Sequence, residues 1–150
     1  MALDVLSPAF VDGGSLPELY YAQDSEFSPP LEWSCDSSKV ASYVLVVDEP
    51  NEHGMPIVHW VVYNIPRNWR QIPENYLSTL CDARGQPEIG LNDWARVEWV
   101  GQTEGRAMLR FRLYAISRKL SFSSMPNAYD VLSAAQRYIL DDAKISAYTH

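Results

Sequence analysis

The chain is organised around one segment, Tyr43-Val-Leu-Val-Val-Asp-Glu-Pro-Asn-Glu-His-Gly-Met-Pro-Ile-Val-His-Trp-Val-Val-Tyr-Asn-Ile-Pro66. Two apolar runs, 43–47 and 57–65, flank a polar stretch that contains two prolines and a glycine. β-Branched and aromatic residues favour strands, and the turn formers between them favour a loop. Because most of each run is apolar on both faces, the segment predicts two central, buried strands.

The pairing of these two strands predicts a cluster of polar side chains. If they pair antiparallel, the end of the first lies beside the start of the second, which brings Asp48 and Glu49 close to His59. A neighbouring carboxylate holds an imidazole in one tautomer and favours its charged form, which suits the ring to donate to an anionic ligand. The same His can instead serve only to satisfy a carbonyl or a carboxylate. Both interpretations remain open.

The spacing of apolar side chains after residue 106 predicts a strand, then a helix, then a second strand. Residues 107–116 alternate apolar and basic side chains, which is typical of a strand with one solvated face. Apolar side chains recur every three to four positions over residues 126–140, with Ser124 as a candidate N-cap, so this segment predicts a helix. Residues 143–149 alternate again and predict a final strand.

Weaker signals occupy the rest of the chain. The first forty residues are rich in proline and glycine turns, which permits only short strands there. Residues 75–80 are expected to form short helical turns, and residues 97–100 a strand fragment. Strands first and a helix late predict one mainly β or α+β domain with antiparallel sheets over residues 1–150.

Composition excludes several classes of partner. The chain has 150 residues, 47% of them hydrophobic, which is enough for a proper core. Its net charge of −7 would repel a phosphate backbone, so we expect no nucleic-acid partner. We also expect no membrane insertion and a cytoplasmic location, because the sequence shows no run of signal-peptide or transmembrane character.

Catalysis and metal binding have little support in the sequence. The two cysteines, Cys35 and Cys81, form no Cys-x-x-Cys pair and carry no nucleophile signature, so we expect reduced, inert thiols. The two histidines of the central segment do not have a standard metal-ligand spacing. We therefore expect no catalytic residue, no metal and no cofactor, and a protein that is not an enzyme.

Several short motifs span nearly the whole chain in a fixed order. They are Ser7-Pro-Ala-Phe, Asp12-Gly-Gly, Ser28-Pro-Pro-Leu-Glu-Trp33, Tyr43-Val-Leu-Val-Val, His59-Trp-Val-Val-Tyr-Asn-Ile-Pro66 and Phe111-Arg-Leu-Tyr-Ala-Ile116. Together they resemble the phosphatidylethanolamine-binding proteins, in particular the bacterial branch similar to Raf kinase inhibitor protein. The resemblance implies a central antiparallel β-sandwich with peripheral helices and a small anion-binding pocket at one end.

The resemblance also implies which residues line that pocket. In the family it is built from an Asp-Pro-Asp segment, the His that opens the next strand, a Pro-rich loop and a His-Arg-Tyr run. Glu49 and Asn51 stand at the two Asp positions, and His59 matches outright. The Pro-rich loop corresponds to residues 101–105, which contain no proline or cysteine.

The other half of the pocket has lost its donors. Ala107, Met108 and Leu109 occupy the His-Arg-Tyr positions. Each lost charge-assisted hydrogen bond costs roughly 1.5–3 kcal/mol, so two losses would weaken binding by about two orders of magnitude or more. Arg106 or Arg110 could supply a replacement donor, or could simply lie on a solvated strand face.

Two non-enzymatic functions therefore remain open. The first is a binding module for a small anionic or polar ligand. The second is a divergent member with a vestigial pocket, which acts through its surface as a protein-interaction or inhibitor module and which could form a homodimer. The predicted ligand-binding residues are Glu49, Asn51, His59, Gly101, Thr103 and Arg106.

Overall fold

The computed structural model describes residues 3–23, 27–36, 38–76 and 85–150, and within these ranges it contains nine strands and one α-helix. The elements are β1 (Asp4–Leu6), β2 (Gly14–Ser15), β3 (Leu31–Ser34), β4 (Ser42–Glu49), β5 (Ile57–Pro66), β6 (Gln71–Ile72), β7 (Glu88–Ile89), β8 (Met108–Ile116), α1 (Ala128–Ala135) and β9 (Ile139–Tyr148). The described residues also include two 3-10 turns, Glu18–Tyr20 and Gln136–Tyr138.

The strands form two sheets. A six-stranded sheet has the order β2-β9-β8-β4-β5-β7, and a three-stranded sheet has the order β1-β3-β6. Neighbouring strands are antiparallel except for β2, which runs parallel to β9. The mainly β, α+β prediction is confirmed, and the runs at 43–47 and 57–65 are central strands of the larger sheet.

The strand β4 is buried on both faces because its alternate side chains enter two different apolar clusters. Tyr43, Leu45 and Val47 pack with residues of β3 and β6 between the two sheets. Val44 and Val46 pack with α1 on the opposite face of the larger sheet. The six-stranded sheet is therefore the middle layer of the molecule, as the apolar character of both faces predicts.

The C-terminal helix differs from the prediction in its ends. It starts after Asn127 rather than Ser124, because Asn127 and Asp130 form a capping box in which each side chain accepts a hydrogen bond from the other's backbone N–H, at 2.9 and 3.1 Å. The helix is shorter than 126–140 because β9 already begins at Ile139, where it pairs with β8. Within the described part of the chain, no helix has the length and apolar character needed to cross a membrane.

Three further predictions concern shorter segments. Residues 97–100 form bends and coil, so the strand fragment predicted there is wrong. The helical turns predicted at 75–80 fall partly, and Cys81 wholly, outside the described residues. Cys35 is a buried free thiol, as expected.

Candidate functional site

Glu49 is the last residue of β4, and His59 lies near the start of β5. Their side chains are in contact. The Nε2 atom of His59 lies 3.1 Å from Oε1 of Glu49, which confirms the predicted proximity of these two residues. The other ring nitrogen, Nδ1, contacts the carbonyl oxygen of Val100. His59 is fully buried, whereas the side chain of Glu49 is 19% exposed. We call these two residues the Glu49–His59 pair.

A β-bulge directs His59 to this position. The β4–β5 register pairs Val47 with Trp60 and the next residue of β4 with Val58, so His59 is an extra residue without a partner on β4. A bulge interrupts the regular alternation of side chains between the two faces of a sheet. The rings of His59 and Trp60 consequently both approach Trp99, with centroid distances of 6.4 and 5.7 Å.

Both nitrogens of the His59 ring are engaged. A carbonyl oxygen can only accept, so Nδ1 carries a hydrogen and donates to Val100. The contact between Nε2 and Glu49 is a hydrogen bond only if one proton lies between them. That proton resides on a charged ring or on a neutral carboxyl group, and in either case the pair has no net charge. Glu49 is the member of the pair that a ligand can reach.

A loop that the sequence analysis did not single out covers the ring. The indole of Trp94, which is 38% exposed, lies 5.1 Å from the His59 ring between centroids. The loop is held by Asn92, whose side-chain oxygen accepts from the backbone N–H groups of Trp94 and Arg96 at 2.9 and 3.1 Å. The amide of Asn92 donates to the carbonyls of His59 and Glu98 at 3.3 and 2.8 Å. The sequence Asn92-Asp93-Trp94 is a recognisable turn signal. It does not indicate that this turn packs against His59.

Gly101 supports the site through close packing. A Cβ atom at this position would lie 1.8 Å from the carbonyl oxygen of Tyr20. That oxygen also accepts a hydrogen bond from the indole of Trp99 at 2.8 Å. Only glycine lets the loop approach this closely, and the approach positions Val100 to receive the hydrogen bond from His59.

The remaining predicted site residues contact other parts of the molecule. Thr103 lies 3.0 Å from Thr149 between hydroxyl oxygens, and the guanidinium of Arg106 lies 4.9 Å from the ring centroid of Tyr148. Asn51 accepts a hydrogen bond from a backbone N–H two residues ahead, in an exposed turn. These contacts direct Thr103 and Arg106 to the end of β9 rather than to the Glu49–His59 pair.

Asp48 does not join Glu49 at His59, which corrects the prediction. It lies on the opposite face of the sheet, because successive side chains of a strand alternate. Its two oxygens accept from Arg110 at 2.8 and 2.9 Å and from Arg112 at 2.8 Å, and its side chain is 1% exposed. Arg110 is therefore committed to this ion pair and is not a replacement donor for the pocket. We call these three residues the Asp48 cluster.

Sequence comparison identifies the relatives of this chain. Residues 6–150 match the family described as phosphatidylethanolamine-binding protein. The chain belongs to this family. A UPF0098 protein of Methanothermobacter thermautotrophicus is 30% identical over 148 residues, which covers 95% of each chain. A UPF0098 protein of Aquifex aeolicus is 28% identical over 124 residues, which covers 77% of this chain and 68% of that protein.

Solved structures of two bacterial proteins have the same fold. A phosphatidylethanolamine-binding protein homologue from Chlamydia trachomatis aligns with a TM-score of 0.85 at 24% identity, over 99% of this chain and 97% of the other. YbcL from E. coli, described as a member of the mammalian family, aligns with a TM-score of 0.86 at 20% identity, over 100% and 99% of the two chains. At these identities the similarity establishes the shared fold.

Two of the residues that the family resemblance assigns to a pocket, Glu49 and His59, lie side by side at the adjoining ends of β4 and β5. On the other side, Leu109 is buried in the core between the sheets, and Met108 is half-buried at the start of β8. The positions that bear the family's His-Arg-Tyr donors thus carry apolar side chains.

Proposed function

We propose that this chain is a non-enzymatic binding protein that takes up a small polar ligand at the Glu49–His59 pair. The observation that carries the proposal is the locked geometry of His59, which is fully buried and hydrogen-bonded at both nitrogens while its partner carboxylate reaches the surface. The half-exposed indole of Trp94 lies over the ring. A fixed polar group with an aromatic wall is typical of a small-molecule site.

The hydrogen-bonding pattern favours a ligand that donates rather than accepts. An anion needs several convergent donors. Here Val100 and Glu49 engage both nitrogens of the His59 ring, so the ring has no donor left for a ligand, and the former donor positions of β8 are apolar. Glu49 remains as an accessible acceptor. An amine or hydroxyl group should therefore bind better than bare phosphate.

The same pattern supports a non-catalytic role. A histidine that activates a nucleophile must face a hydroxyl or a thiol. Among the described residues, the two nitrogens of His59 face a carbonyl oxygen and a carboxylate. The Glu49–His59 pair is therefore arranged to hold a ligand in place.

A backbone-amide NMR titration tests the proposal with three probes: ethanolamine, phosphoethanolamine and inorganic phosphate. We expect saturable shifts confined to residues 48–60 and 92–101 with the first two probes, and none with phosphate alone. Glu49→Gln should abolish the ethanolamine shifts. Glu52→Gln is the matched control, because it removes the same charge from an exposed position in the adjoining turn. Equal shifts with phosphate alone would instead mean that an anion site persists.

The second candidate is a surface-acting interaction or inhibitor module, with a second copy of the chain as its simplest partner. It is favoured by the complete internal pairing of His59 together with the apolar side chains on β8. Absence of shifts with all three probes at millimolar concentration would support this candidate. Sedimentation velocity at increasing protein concentration then tests for a homodimer.

A further inference from the structure

A groove of about 530 Å³ lies beside α1, on the face of the larger sheet that carries the Asp48 cluster. We call it the α1 groove. Its volume is within the range of about 300–1,000 Å³ that is usual for small-molecule sites. Side chains of β5, of α1 and of the segments next to them make most of its wall apolar, which suits a ligand with an aliphatic body. The apolar lining residues are Met55, Pro56, Val58, Tyr129, Leu132 and Ile139.

The charged groups in and next to the α1 groove balance one another. Asp48 lies between the guanidinium groups of Arg110 and Arg112. Asp93 also lines the groove, and its Oδ2 atom accepts from the backbone N–H of Val58 at 3.0 Å. These two carboxylates and two guanidinium groups sum to zero, or to −1 without Arg110, which binds Asp48 but does not line the groove. Neither sum attracts an anion, and the net charge of −7 on the whole chain disfavours one further.

The polar end of the groove nevertheless has unsatisfied hydrogen-bond donors. Arg112 donates to Asp48 at 2.8 Å and to the hydroxyl oxygen of Tyr114 at 2.9 Å, and its Nε atom is buried without a partner among the described residues. Because the Tyr114 oxygen accepts from Arg112, its own hydrogen is left to donate. Burial raises the pKa of Tyr114, so the hydroxyl stays protonated at neutral pH. This end therefore needs an acceptor, which an ammonium group does not supply.

A cationic ligand also lacks a strong counterion in the groove. Both oxygens of Asp48 already accept from guanidinium groups. Asp93 has one oxygen that accepts from Val58, and the residue is exposed to solvent, which weakens its attraction for a cation. An uncharged acceptor satisfies the free donor without adding a charge of either sign.

We propose that the α1 groove is a second ligand site, which binds an uncharged aliphatic compound with one oxygen acceptor, such as a medium-chain alcohol or ketone. The oxygen accepts from the Tyr114 hydroxyl, and the chain lies along the apolar wall formed by Val58 and Leu132. A charged head group would lose hydration in this largely apolar groove without gaining a counterion. The site differs in chemistry from the Glu49–His59 pair, which lies on the opposite face of the sheet and offers an acceptor.

A backbone-amide NMR titration with octanol tests the proposal, with octanoate and octylamine as probes that add a charge of either sign to the same chain. We expect saturable shifts at residues 112–114 and 128–136 with octanol, and at least about tenfold weaker binding of both charged probes. Ser133→Trp fills the groove from an exposed helix position, so it should abolish octanol binding without disturbing the core. Arg137→Trp is the matched control, because Arg137 is exposed on the neighbouring turn and does not line the groove.

A second variant tests the donor role of Tyr114. Tyr114→Phe removes one hydroxyl, and we expect about fivefold weaker octanol binding from the loss of one hydrogen bond between uncharged groups. The ketone of the same length, which can only accept, should lose as much affinity. Glu49→Gln should leave octanol binding unchanged, which separates this site from the Glu49–His59 pair.

Four results would each overturn the proposal. They are binding of octanoate or octylamine as tight as that of octanol, octanol binding that survives Ser133→Trp, an unchanged affinity in Tyr114→Phe, and no shifts of the folded chain at millimolar octanol.

Discussion

Asp48 and Glu49 are adjacent acidic residues at the end of one strand, and they belong to opposite chemical environments. Asp48 is 1% exposed and accepts from two guanidinium groups. Glu49 is 19% exposed and faces one buried imidazole whose other nitrogen is already engaged. The two faces of the same sheet therefore differ in what their carboxylates can do: Asp48 is enclosed by its ion pairs, whereas Glu49 is an accessible acceptor.

Removing the charge of the buried Asp48 carboxylate is the strongest test of the contrast between Asp48 and Glu49. Asp48→Asn leaves Arg110 and Arg112 without their counterion, and we expect a loss of about 3 kcal/mol in the free energy of unfolding. This is the lower end of the range for breaking a buried ion pair, because the two guanidinium groups are partly exposed. Urea denaturation followed by circular dichroism measures it. Glu49→Gln is the control and should cost only about 1 kcal/mol, because the Gln amide can still donate a hydrogen bond to Nε2 of a neutral His59 ring; equal losses would contradict the contrast between the two carboxylates.

The loop that positions Val100 provides the next test. Gly101→Ala would place a methyl group against the Tyr20 carbonyl, where a Cβ would lie at 1.8 Å, so the backbone must move. We expect a loss of about 2 kcal/mol in the free energy of unfolding, together with amide shifts at His59. Gly54→Ala is the matched control, since its Cβ would meet only the Asn51 side chain at 3.9 Å. If neither variant changes the free energy of unfolding, the loop can shift to accommodate a methyl group at residue 101, which would contradict this prediction.

The smallest expected effect is a pH dependence on the His59 side of the sheet. Burial, and then the hydrogen bond to Glu74, raise the pKa of Tyr20 to about 12 from 10.0. Because the folded chain favours the protonated phenol, this stabilisation is complete below pH 10 and is lost as the pH rises towards 12. Tyr20→Phe should therefore flatten the fall in stability over this window, as measured by urea denaturation at stepped pH. An equally steep fall in the variant would assign it to other groups.

Much of the fold could be read from local patterns. The runs at 43–47 and 57–65 are apolar on both faces, and alternate side chains of β4 do enter two clusters. The separation of Asp48 from Glu49 was also predictable, because side chains in a strand alternate strictly. The prediction failed there because it considered proximity along the chain and not the face of the sheet.

The candidate site was only partly predictable. Antiparallel pairing places His59 near both acidic residues at the end of β4, but it does not show that Glu49 is the one His59 meets. Trp94 and Asn92 could not be placed near His59, because they lie more than thirty residues from it and reach it through a loop without periodic structure. The family pattern also suggested Thr103 and Arg106, whose side chains contact the end of β9.

Local patterns in the chain suffice to predict that two central strands are buried on both faces and that acidic residues and a histidine lie near their junction. The choice of the carboxylate that the histidine meets depends on how the two strands pair. With Val47 opposite Trp60, strict alternation would turn His59 to the face that carries Asp48. The bulge adds one residue to β5 and turns the ring to the face of Glu49 instead. A bulge depends on how two distant strands pair, so it has no signature in either strand alone.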